Sequence, residues 1–93
     1  MKAYRPLAIA ARNSGADENT LLEFSRAGWI EVTWKDGHAF VSGQDEYRSR
    51  FILHLRQKLR LTDEQIGIVL ENGKPPYSVD QVKEILAHAA RED

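Results

Sequence analysis

The pair Asp36-Gly37 limits what this chain can fold into more than any other feature. Before it, Trp29, Glu31 and Thr33 alternate with Ile30, Val32 and Trp34 in a period of two. After it, His38-Ala-Phe-Val41 reads as a return strand. Asp-Gly between two such runs signals a two-residue hairpin, whose turn needs positive φ at both central residues. A hairpin alone is marginal in water, so the rest of the chain must give it a surface to pack on.

The flanking segments are helical. Pro6 suits the first position of a helix, where its missing N–H costs nothing. Leu7, Ile9 and Ala10-Ala11 form a small apolar face that Asn13-Ser14-Gly15 interrupts. Asp17 is placed to cap a second helix, Leu21 and Phe24 form its buried stripe, Leu22 widens it, and Gly28 suits its end. Beyond the hairpin, Ser42 with Asp45 resembles a capping box, and Tyr47, Phe51, Ile52, Leu55 and Leu59 follow helical spacing. Thr62 with Gln65, between Leu61 and Ile66, makes a second box, and Asn72-Gly73 stops that helix. After Lys74-Pro75-Pro76, Ser78 with Gln81 makes a third, with Tyr77 and Val82 as its staple. The last helix carries Val79, Val82, Ile85, Leu86 and Ala89, a face that needs the domain or a second copy to cover it.

Two short helices, a hairpin and a long helix, running from Tyr4 to Leu70, make the layout of a winged helix-turn-helix. The expected architecture is therefore mainly α: one domain over residues 1–93, with a winged helix-turn-helix core at 4–72, a β-hairpin wing and an added C-terminal helix at 78–92. No apolar run approaches the roughly 18 residues of a membrane span, and no charged leader precedes an apolar segment. The absence of cysteine removes disulfides, thiolate metal sites and thiol catalysis, and fits a cytoplasmic location.

Catalytic chemistry finds little to use. His38, His54 and His88 are isolated in sequence, without metal-ligand spacing, and read as surface or edge histidines. Carboxylates such as Asp63-Glu64 fall in helix first turns, where the helix dipole favours them. No nucleophile elbow, phosphate loop or metal motif is present, so the expectation is a non-enzyme without cofactor or metal. A net charge of -1 also departs from the basic excess usual in an autonomous nucleic-acid-binding domain.

Trp29, Trp34 and Phe40 on the hairpin suit either a stacking or docking platform or the packing of a small core. Trp29 and Trp34 have opposite parity, so a regular strand leaves one of them exposed as an anchor. Arg48, Arg50, Arg56, Lys58 and Arg60 make the long helix basic, which suits phosphate tracking or a solvated face equally.

Thr20-Leu21, Arg26-Ala-Gly-Trp-Ile30, Gly37, Ser42, Asp45, Phe51-Ile52 and Leu55-Arg56 resemble the MerR-type winged-helix family. In its DNA-binding members, the segment at Thr20-Leu21 continues with an arginine and two tyrosines, and the wing glycine is followed by Tyr-Arg. This chain has Leu22, Glu23 and Phe24, then His38 and Ala39, so both DNA-contacting arginines are missing. From Arg12 to Asp36, three cations (Arg12, Arg26, Lys35) face five carboxylates (Asp17, Glu18, Glu23, Glu31, Asp36). Such a reading head repels a polyanion.

The stretch from Leu55 to Ile66 is one residue longer than in DNA-binding members. With the acidic Ala16–Leu21 segment and the short last helix, it resembles the chaperone-modulator (CbpM) branch. That resemblance implies an adaptor that binds the J-domain of a DnaJ-like co-chaperone and inhibits its action on Hsp70. J-domains present a basic helix to Hsp70. Asp17, Glu18, Glu23 and Glu31 would then meet that helix, with Trp29 or Trp34 as the desolvated anchor. Helix-start stabilisation accounts equally for Asp17 and Glu18. The alternative is a MerR-family transcriptional regulator that contacts DNA through Arg12, Arg26, Lys35, Arg48 and Arg50, dimerising through its last helix.

Overall fold

The computed structural model describes residues 3–91. Among them the chain is mainly α, with five helices and one three-stranded antiparallel sheet. The order is β1 (Tyr4–Pro6), α1 (Leu7–Ser14), α2 (Glu18–Arg26), β2 (Val32–Lys35), β3 (His38–Ser42), α3 (Gly43–Gln57), α4 (Asp63–Asn72) and α5 (Val79–Arg91). Two compact units divide after Leu53, inside α3 and inside the 4–72 span. The residue 92 end expected for the last helix lies outside the described residues. No described helix is long and apolar enough to cross a membrane.

In the first unit the hairpin forms as the sequence predicts. Asp36 has φ 52 and Gly37 φ 80, and Lys35 pairs with His38 across the turn. β2 is shorter than the alternation suggests and begins at Val32. The N–H groups before it are engaged elsewhere: Trp29 donates to the Phe24 carbonyl at 3.0 Å and Glu31 to the Asp45 carboxylate at 3.1 Å. The Trp29 bond closes α2 together with a 3.0 Å bond from the Gly28 N–H to Ser25, with Gly28 at φ 81. This left-handed closure is what a glycine just past a helix end permits. At the other end of α2, the Asp17 carboxylate accepts the Thr20 N–H at 2.8 Å, as its capping position predicts.

β1 has no counterpart in the sequence reading, since three residues are too few to show a period. It lies on the free side of β3, pairing Tyr4 with Ser42, Arg5 with Val41 and Pro6 with Phe40, so β3 is central. Pro6 accordingly sits one residue outside α1, as its N-cap at ψ 145 and the last residue of an edge strand, where proline is tolerated.

Paired residues share a face of a sheet. Arg5, Val41, Val32, Ala39 and Trp34 occupy the inner face, and Tyr4, Pro6, Phe40, Thr33, Lys35 and His38 the outer one. Val41 is fully buried, as are Ala10, Leu21, Phe24 and Ile52. Trp29 is half-buried, its ring tilted against Phe24 at 5.7 Å. A polar cluster lies among these apolar groups. Arg5 Nη1 donates to the buried Glu46 carboxylate at 2.6 Å, and the Asn13 amide donates to its other oxygen at 3.0 Å. These bonds tie β1, α1 and α3 together. Ser42 Oγ accepts the Asp45 N–H, but the expected box does not close, because the Asp45 side chain holds Glu31 instead.

The second unit contains the end of α3 together with α4 and α5, and buries Leu55, Ile66, Val69, Leu70 and Val82. The Thr62–Gln65 box closes in both directions, at 3.2 and 2.9 Å. The Ser78–Gln81 box is only half formed. Ser78 Oγ accepts the Gln81 N–H, while the Gln81 amide spans the Lys74 backbone, accepting its N–H at 3.0 Å and donating to its carbonyl at 3.3 Å. Gly73 is extended here, and a Cβ on it would lie 2.7 Å from Gln81 Oε1 and 2.8 Å from the Val69 carbonyl. The glycine is thus required by a close approach. Along α5, Val82 is buried, Ile85, Leu86 and Ala89 are half-buried, and Val79 is exposed.

Candidate functional site

β1 covers β3 only from Phe40 to Ser42, leaving the edge at His38-Ala39 open. The start of α1 and the first residue of α2 come up to this edge. Together they form a recess of about 230 Å³ lined by Pro6, Leu7, Ala8, Glu18, His38, Ala39 and Phe40. Its walls are apolar apart from one carboxylate and one imidazole. Trp34 pairs with Ala39 across the hairpin and is 62% exposed. The recess therefore has the Glu18 carboxylate in its wall, while Trp34 is not among its lining residues and shares the inner sheet face with Ala39. A carboxylate among apolar walls suits a cationic side chain on an apolar stem, which gains from both.

The other sequence candidates are placed differently. The Asp17 carboxylate is committed to its cap, accepting both the Thr20 N–H and the Thr20 hydroxyl at 2.8 Å. The Thr20 hydroxyl bond, followed by that from the backbone N–H, holds its pKa below the usual carboxylate value. Glu23 and Glu31 are exposed. At 100° per residue, Glu18 and Glu23 project about 140° apart around α2, so the four carboxylates do not form one patch. Trp29 is turned inward against Phe24, which leaves Trp34 as the exposed tryptophan.

Of the residues considered for DNA, Arg12, Arg26, Lys35 and Arg50 are exposed and Arg48 is half-buried. Arg12 and Arg26 occupy the last turns of α1 and α2, where a cation complements the helix dipole. Arg48 and Arg50 project about 160° apart around α3, so they do not track one phosphate strand together.

Two features gave no readable signal in the sequence. Arg5 and Glu46 are 41 residues apart, and nothing local announces their pairing. Tyr4 joins Phe40 on the outer sheet face only because β1 exists. No protein-family model, curated protein or solved structure matches the chain.

Proposed function

We propose that this chain is a winged-helix adaptor of the chaperone-modulator kind, binding the J-domain of a DnaJ-like co-chaperone and restraining its stimulation of Hsp70. The observation that carries this reading is the apolar recess walled by the Glu18 carboxylate, with Trp34 exposed on the same hairpin. The element order from β1 to α3, with a two-residue hairpin after two short helices, supports the winged-helix part. A basic helix docks by placing a lysine or arginine against Glu18, with its neighbouring apolar residues over Leu7, Ala8 and Phe40, and Trp34 is the exposed ring that anchors the rest of the partner's surface. Glu23 and Glu31 act at longer range, steering the cationic partner without touching it. A cytoplasmic location belongs to the same reading, and a homodimer through α5 is not needed for it.

The reading is tested by the ATPase of an Hsp70 stimulated by a J-domain protein. Adding this chain should suppress the stimulated rate and leave the basal rate alone. A Glu18→Lys variant should suppress it far less. Full stimulation in the presence of excess native chain would remove the proposal. A steeply salt-dependent gel shift with duplex DNA would favour the regulator reading instead.

A further inference from the structure

The outer face of the sheet carries a second recess, which has Phe40 alone in common with the one at Glu18. Tyr4 and Phe40 lie on adjacent strands of this face, and with Thr33 and Lys35 they line a recess of about 430 Å³. This is within the size range of sites that hold a drug-sized group. Tyr4 is 51% exposed, although an aromatic ring gains most from burial. Lys35 and His38 form the cross-strand pair at the hairpin end of the same face. The sheet residues include no carboxylate, and the other cation of the sheet, Arg5, is paired with Glu46 on the inner side. Lys35 enters no ion pair among the described residues.

We propose that this face is a second docking site, for a short apolar segment of a partner protein bearing a carboxylate beside an aromatic or branched side chain. The apolar side chain lies between Tyr4 and Phe40, and the carboxylate reaches Lys35. Charge decides among the occupants. The strands of a second copy bring Lys35 and His38 but no carboxylate to meet them, Asp36 lying in the turn outside the paired residues. A single-stranded nucleic acid stacks on two aromatics, but its affinity comes from neutralising several phosphates, and this face offers one permanent cation. One carboxylate against one ammonium is the balanced case.

Panning a random peptide display library against the full-length chain tests this. Recovered sequences should place Asp or Glu next to Phe, Tyr, Trp, Leu or Ile. Tyr4→Ser should weaken the synthesised peptides by about tenfold, the loss expected for one partly buried apolar contact. Lys35→Glu should switch the recovered sequences from acidic to basic, and Glu18→Lys and Trp34→Ser should both leave binding unchanged, which separates this site from the J-domain surface without altering the shared Phe40. Recovery without acidic enrichment, or equal binding by the Tyr4→Ser and Lys35→Glu variants, overturns the proposal. So does an oligothymidylate that binds the native chain and is lost on Tyr4→Ser, which would give the face to nucleic acid.

Discussion

Arg5→Met should destabilise the first unit more than Glu46→Gln, although each breaks the same ion pair. The side chains differ in access to water: Glu46 is 9% exposed and Arg5 34%. Removing the guanidinium leaves a charged carboxylate in the interior with the Asn13 amide beside it. Stranding a buried charge in this way costs about 3–5 kcal/mol. Removing the carboxylate charge instead leaves a guanidinium that is one-third hydrated, and the amide oxygen of the new glutamine still accepts a hydrogen bond. The loss is then about 1–2 kcal/mol, the difference between a charged and a neutral hydrogen bond. Arg5→Met combined with Glu46→Leu removes both charges and should recover much of the larger loss. Urea unfolding followed by tryptophan fluorescence reads this well, because Trp29 and Trp34 both belong to the first unit. A Glu46→Gln cost equal to or above that of Arg5→Met would refute the argument from exposure.

Two glycines should behave in opposite ways. Gly43→Ala meets nothing closer than 3.5 Å and should be neutral or stabilise by up to about 1 kcal/mol, whereas Gly73→Ala clashes with the Val69 carbonyl at 2.8 Å and should lose about 1–3 kcal/mol by circular dichroism melts. The lowered pKa of Asp17 means its charge stabilises the fold fully above the unfolded carboxylate value, and that contribution disappears as pH falls through the folded value. Asp17→Asn should flatten the stability profile in that acid window, and an unchanged profile would contradict the cap assignment. Iodide should quench Trp34 strongly and Trp29 weakly, so Trp34→Phe should remove most of the accessible fluorescence.

Local patterns were legible wherever the chemistry was local. The Asp36-Gly37 turn, the Asp17 cap and the Thr62–Gln65 box each depend on residues within three positions, and each forms. The failures lie where a distant group competed. Asp45 was free in sequence to close a box on Ser42, but its carboxylate meets the Glu31 N–H. Gln81 likewise turned to Lys74 because the extended Gly73 brings that backbone alongside. β1 was hidden because Pro6 carries the same φ in an edge strand as at a helix start. Of the candidate site, Trp34 is the exposed ring and Trp29 packs on Phe24, but strand parity is not the cause, because β2 begins at Val32 and Trp29 lies in the closure of α2. The recess at Glu18 needed the open edge of β3, which no sequence period encodes.

The most direct measurement is a titration of a fluorescently labelled J-domain with the native chain and its Trp34→Ser variant. Trp34 is 62% exposed, so the variant should stay close to the native chain in stability. The native chain should bind saturably, and the variant about thirtyfold or more weakly, as the loss of about 2 kcal/mol at an aromatic anchor requires. No binding by the native chain, or equal binding by both, would contradict it.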